Sequence, residues 1–249
     1  MKTILILGAT SAVAKAYARL RAAEGDCRII LAGRRAEALE DIAADLKARG
    51  ASEALICSGE IGDPESVEKL WDQISTSHGV PGEALLAYGV LGDQTEQQAS
   101  AEALVSLLNV NLVSAALWAE KLMAAFETAG TGRLAIIGSV AGDRGRQSNY
   151  LYGATKGALE RIAEGMAHRA AKHSDISVTL AKPGFIDTPM TDHIEGKGGP
   201  LWATPEQIAA STAKAVDKKR SRIYSPWFWR FVMLIIRALP VPMIHRTKL

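Results

Sequence analysis

The chain has 249 residues, 48% of them hydrophobic, with 29 Lys and Arg against 27 Asp and Glu and a formal net charge of +2. That length and apolar share support one sizeable α/β domain, and no Pro- or Ser-rich linker divides it. The two cysteines, Cys27 and Cys57, lie in or beside apolar strand-like runs, so buried reduced thiols are expected, with neither disulfide nor metal.

The first element is the apolar run Thr3-Ile4-Leu5-Ile6-Leu7, a buried strand that breaks into Gly8-Ala9-Thr10-Ser11-Ala12-Val13-Ala14 before an alanine-rich helix. Met1-Lys2 followed by apolar residues resembles the start of a signal peptide, but Gly8 interrupts the run, so a first β-strand and cytoplasmic residence are expected. The N–H groups around Gly8, Thr10, Ser11, Ala12 and Val13, aided by the helix dipole, suit a dinucleotide pyrophosphate. Further strands are expected near 27–32, 54–58, 83–87, 133–138, 176–181 and 222–225, with amphipathic helices between them. This alternation predicts a doubly wound parallel sheet of about seven strands, helices on both faces and a ligand beyond the strands' carboxyl ends.

Three groups placed past strand ends or on the following helix carry the chemistry. Tyr152 and Lys156 stand four apart, which on a helix sets them on one face. An unperturbed phenol titrates near pH ~10, and a neighbouring ammonium lowers that value, so Tyr152 would act as a general acid. With five tyrosines and thirteen lysines in the chain, such a pair arises by accident in roughly one sequence in four, so its weight comes from its companions. Those are Ser139, thirteen residues before Tyr152, and Asn111 in mid-chain, one of only three asparagines.

Asn111, Ser139, the Tyr152/Lys156 pair and Pro183-Gly184-Phe185-Ile186-Asp187-Thr188 follow one another as in the classical short-chain dehydrogenase/reductases, which the chain resembles over nearly all its length. The resemblance implies a single Rossmann-type fold, a homo-oligomer, and hydride transfer from a nicotinamide to a carbonyl carbon with Tyr152 as proton donor. By the same resemblance Ser139 would hold the carbonyl oxygen, Lys156 would bind the nicotinamide ribose, and Asn111 would anchor a water leading to Lys156. Pro183, Gly184, Ile186 and Thr188 would position nicotinamide and phosphates, Glu60 would meet the adenine amine and Ile61 its ring. At the end of the second strand, Gly33-Arg34-Arg35 offers guanidinium forks where an NAD site would want a carboxylate, so Arg34 and Arg35 predict NADP; two solvated loop arginines are the plain alternative.

Two departures mark a branch of the family. Ala12 and Ala14 replace glycines, and Ala87-Tyr88-Gly89-Val90 stands where Asn-Asn-Ala-Gly is usual, making Tyr88 and Gly89 the nicotinamide-side wall. These resemble decaprenylphosphoryl-2-keto-erythro-pentose reductase, which implies a lipid-linked keto sugar as substrate and an oxidase partner. Arg144 and Arg146, between Ser139 and Tyr152, would hold a substrate phosphate, unless the loop is simply a flexible surface. Residues 191–204 form a natural lid, with Trp202 as its cover.

The chain beyond the expected domain of residues 1–225 is distinctive. Over residues 214–249 nine Lys or Arg face Asp217 alone, a net of +8, which leaves 20 basic against 26 acidic residues, or −6, in the rest. Residues 226–249 contain the stretch 227–239, apolar save for Arg230 and Arg237. At ~1.5 Å per residue its thirteen residues reach about 20 Å, too short to cross a bilayer. The segment suits a helix lying at the inner face of the cell membrane, or one packed against a second subunit. Its charges alternate with apolar runs that a nucleic-acid groove would not need, so no nucleic acid is expected. The reading is an NADPH-dependent ketoreductase. Its alternatives are an oxidoreductase for another hydrophobic ketone or alcohol, and an NADP-sensing module, which would typically have lost the Tyr or Lys.

Overall fold

The computed structural model describes residues 1–192 and 197–246. Its core is a seven-stranded sheet, all neighbours parallel, in the order β3-β2-β1-β4-β5-β6-β9. The strands are β1 (Lys2–Leu7), β2 (Cys27–Gly33), β3 (Glu53–Ser58), β4 (Glu83–Leu86), β5 (Gly132–Ile137), β6 (Ile176–Pro183) and β9 (Arg222–Ser225). All seven expected strands are present, within two residues of the expected ends. The runs are continuously apolar because both faces are covered: along β1, Leu5 and Leu7 enter one core while Ile4 and Ile6 enter the other.

Helices α1 (Ala12–Ala23), α2 (Ala36–Ala48) and α8 (Pro205–Asp217) line one face; α3 (Pro64–His78), α6 (Ser114–Ala129) and α7 (Tyr150–Ala170) line the other. Between β4 and α6 run α4 (Gln94–Ala99), α5 (Ala101–Leu108) and a π-helical turn, Asn109–Val113. The stretch Ala101–Ala129 is long and apolar enough to cross a membrane by length and composition, but Trp118, Leu122, Met123 and Phe126 are fully buried against the sheet, as in a core helix. A two-stranded pair, β7 (Phe185–Ile186) with β8 (Trp202–Ala203), was not expected, being too short to show a period. The chain then forms α9 (Trp229–Ala238) and α10 (Val241–Ile244).

Near the carboxyl end of β6, Lys182 is buried between the carboxylates of Asp143 and Glu160. Asp143 also accepts from the Tyr224 hydroxyl at 3.0 Å, and Arg222 reaches Glu160 at 3.4 Å. The cluster joins β6, β9, α7 and the 3-10 turn Val140–Asp143 around one desolvated cation. Lys182→Met would leave the Asp143 carboxylate buried with no cation, so a loss of about 3–5 kcal/mol is expected, read as a fall in Tm of about 10 °C. An unchanged melting curve would contradict it.

Candidate active site

Connections leave β1 toward β2 on one side and later return to β4 on the other, so a crevice opens at the carboxyl ends of β1 and β4. Gly8 turns there at φ +82°, and a Cβ on it would stand 2.7 Å from the Tyr88 Cβ. Only glycine lets this turn pass so close to the loop after β4. Ser11 caps α1, its Oγ accepting from the Ala14 N–H at 3.1 Å, beside Thr10. The first-turn N–H groups of Ala12 and Val13 have no intrahelical partner, as at any helix start, and could meet an anion. Past β2, Arg34 is largely exposed, its Nη1 3.7 Å from Glu60, and Arg35 sits at the N-cap of α2. Glu60 accepts from the Gly62 N–H at 2.8 Å, and Ile61 is buried with its carbonyl bonded to the Trp118 indole at 3.1 Å. A glycine turn aimed at a helix N-terminus, with cations at the end of the next strand, fits a dinucleotide phosphate chain.

The reactive side chains meet at the next strand end. Ser139 follows β5, and the 3-10 turn after it rests directly on α7. A Cβ on Gly142 would lie 2.7 Å from the Gly157 nitrogen, and one on Gly153 would lie 2.8 Å from the Ala141 oxygen. This contact brings Ser139 beside Tyr152. Ser139 Oγ accepts from the Ala141 N–H at 3.1 Å, which leaves its own proton free to donate. Burial holds the Tyr152 phenol above its ordinary value, opposite to the lowering expected from the sequence, and the Ser139 hydroxyl and the Arg146 charge offset that rise only in part. Lys156 is buried, donates to the Ile137 carbonyl at 3.3 Å and stands 5.8 Å from the centre of the Tyr152 ring.

Burial pushes the Lys156 ammonium down to about 8. Two cations lie near the phenol, Arg146, whose charge draws it down, and Lys156, 5.8 Å from the ring centre. Burial pushes the Arg146 guanidinium down as well, with the Tyr152 phenolate opposing it, but it starts from a far more basic value than an amine.

Asn111 is buried in the π-helical turn, a common mark of a functional position. Its amide accepts from the Val90 N–H at 2.8 Å and donates to the Val90 carbonyl at 2.7 Å, with a longer bond to Thr155. The side chain thus clamps the loop after β4, and Gly89 fits between it and Lys156. The Tyr88 hydroxyl pairs with Ser114 at 3.0 Å.

On the far side, Pro183 ends β6 and Gly184 packs under the Trp229 ring, which would occupy the place of any Cβ. Thr191 Oγ1 donates to the Ile186 carbonyl at 2.6 Å and accepts from the Thr188 N–H at 3.3 Å, fixing that turn. Trp202 stacks on Phe185 with centroids 5.2 Å apart, which ties the end of the expected lid to the Pro183-Gly184 segment. Residues 193–196 of that lid lie outside the described residues.

The two loop arginines part company. Arg144 donates to the Ile236 and Arg237 carbonyls at 3.1 and 2.7 Å, closing the end of α9, whereas Arg146 has a buried Nε with no partner among the described residues. The Lys182 cluster escaped the sequence reading; a lysine inside the apolar strand Ile176–Pro183 was its one visible signal. Among the described residues no group of three or more His, Cys, Asp or Glu could hold a metal.

Removing the Arg146 charge is expected to move Tyr152 ionisation to higher pH. Ultraviolet tyrosinate titration of Arg146→Met, read against Tyr152→Phe, measures it. An unmoved titration would contradict the electrostatic role.

The family model described as short chain dehydrogenase matches residues 2–197. An uncharacterized oxidoreductase of Mycobacterium tuberculosis strain H37Rv is 34% identical over 237 residues, covering 95% of this chain and 93% of its own length. Among solved structures, L-sorbose reductase from Gluconobacter frateurii, complexed with NADPH and L-sorbose, superposes with a TM-score of 0.78 at 21% identity, over 90% of this chain and 94% of its own. An actinorhodin polyketide ketoreductase variant with NADPH gives 0.77 at 21% identity, over 89% and 94%. These two share the fold. With its sequence match extending over most of the chain, the protein belongs to the short chain dehydrogenase family, an oxidoreductase acting on CH–OH and C=O groups with a nicotinamide dinucleotide.

Proposed function

We propose that the protein is an NADPH-dependent ketoreductase in which Tyr152 gives the proton to the carbonyl oxygen. The observation that carries this is the meeting of Ser139, Tyr152 and Lys156 beside the crevice at the ends of β1 and β4. The cofactor, when bound, supplies the hydride. Ser139, whose hydroxyl meets the Tyr152 phenol, would turn its proton to a carbonyl oxygen placed between them and fix its place. Tyr152 then protonates the developing alkoxide, and the Arg146 charge stabilises the phenolate left behind. Lys156 keeps donors free beyond its bond to Ile137 for the nicotinamide ribose, and Asn111 holds the Val90 loop that walls this space. Gly8, Thr10, Ser11, Ala12 and Val13 would hold the phosphates, Glu60 and Ile61 the adenine, and Pro183, Gly184, Ile186 and Thr188 the nicotinamide side.

The preference for NADPH rests on Arg34 and Arg35 standing where a carboxylate would select NAD, and two fold neighbours were solved with NADPH. The substrate we propose is a lipid-linked 2-keto sugar, met at the inner face of the cell membrane, with an oxidase supplying the ketone. Support comes from the altered Tyr88-Gly89-Val90 wall and from the apolar helix α9 packed against Val140, next to Ser139. Another hydrophobic ketone is the second reading, favoured by the same apolar wall. Arg144 is engaged with the end of α9 and Arg146 acts on Tyr152, so the phosphate contact expected of this loop gains no support from their placement.

NADPH oxidation with a polyprenylphosphoryl-2-keto-pentose, beside simple ketones, tests this reading. Tyr152→Phe is expected to lower kcat by about 10²–10⁴ with NADPH binding retained. Turnover of simple ketones alone would replace the lipid-linked substrate by the second reading. Arg34→Ala is expected to raise the KM for NADPH about tenfold or more and to leave that for NADH nearly unchanged.

A further inference from the structure

Helix α9 has two unlike faces. Trp229 and Met233 are buried, and with Phe228, Val232 and Ile236 they pack on Val140, Phe185 and Tyr224. Trp229 also donates its indole N–H to the Leu201 carbonyl at 3.3 Å. This inner face therefore touches the residue after Ser139, the Gly184 turn and the end of the expected lid. On the other face Phe231, Leu234 and Ile235 are 53, 63 and 64% exposed, at the spacing of one helical stripe, and Trp227, in the turn just before the helix and 73% exposed, extends it. The patch continues onto α10, where Val241 and Met243 are 56 and 54% exposed. Its flanking cations, Arg230, Arg237 and Arg246, are exposed and have no carboxylate partner among the described residues.

Two occupants compete for such a face: a second copy of the chain and a lipid surface. A two-fold contact would set the same patch against itself. The segment 227–246 contains no Asp or Glu, so its arginines would meet one another across the interface without a partner, and desolvation would penalise each. An anionic lipid surface supplies what the segment lacks. Phosphate headgroups pair the arginines while the Trp, Phe, Leu and Ile side chains enter the acyl boundary. Ten residues at ~1.5 Å each make α9 about 15 Å long, half the hydrocarbon thickness, so the helix lies along the surface.

We propose that the outer face of α9, continued by Val241 and Met243, docks on an anionic lipid surface and thereby sets the wall of the substrate cleft against the bilayer. The purpose of the contact rests on the proposed lipid-linked substrate; the contact itself does not. One helix then serves both ends of the task. Its outer side finds the membrane, and its inner side, through Val140 and Gly184, frames the place where a carbonyl carried by a lipid would arrive.

The full chain is mixed with sedimenting vesicles of phosphatidylcholine alone or with added phosphatidylglycerol. Co-sedimentation with the anionic vesicles only, weakened by salt, is the expected result. Leu234→Glu with Ile235→Glu is expected to weaken it about tenfold or more, and Arg230→Gln with Arg237→Gln to remove the preference for anionic lipid. Both pairs are solvent-exposed, so circular dichroism and NADPH binding should match wild type. Turnover of a water-soluble ketone, measured without vesicles, reports the reductase reading separately. Wild-type protein that stays in the supernatant with both vesicles overturns the proposal. So does a dimer, seen by sedimentation equilibrium, that Leu234→Glu with Ile235→Glu dissolves while vesicles are ignored, since a second copy then covers the face.

Discussion

The site depends on a contact that only backbone can make. Gly142 and Gly153 let the turn after β5 lie against α7 with no side chain between them, at a separation where a single methyl would collide with main-chain atoms. Everything reactive is referred to that contact: Ser139 at the head of the turn, Tyr152 and Lys156 on the helix, and Arg146 on the connection between them. The Lys182 cluster acts on the same joint from the other side, gripping Asp143 at the turn's end and Glu160 two helical turns beyond Tyr152. Burying that much charge is unfavourable unless every member is paired, so the cluster stabilises one arrangement of turn and helix above others.

Electrostatics divides the roles within the pocket. Among the described residues no carboxylate pairs with Lys156, which donates to a carbonyl, so burial weakens its hold on a proton. Burial pushes Arg146 in the same direction, from the higher ordinary value of a guanidinium. The pocket thus contains two buried cations of unequal basicity, both near the phenol.

The fold was legible because its signals are periodic. Seven apolar runs separated by amphipathic stretches can form little other than a doubly wound sheet, and β1 to β6 and β9 lie where those runs are. Ser139, Tyr152 and Lys156 were legible for a related reason, their spacing being fixed by a strand end and one helix. Orientation was not legible. Nothing in the spacing of Arg144 and Arg146 says that one turns to the α9 carbonyls and the other stays beside Tyr152. Nor could Asn111 be seen to spend both ends of its amide on Val90, because that bond depends on a π-helical turn that has no sequence period of its own.

The packing of Trp229 over Gly184 also sets the order in which the molecule can be completed. The Gly184 turn is made more than forty residues before the ring that covers it, and Val140 about ninety before. A chain emerging amino-terminus first therefore has its sheet and catalytic helix available while this wall is still missing. The last long helix closes it, so a protein shortened at its carboxyl end would retain the catalytic side chains and lose the enclosure around them.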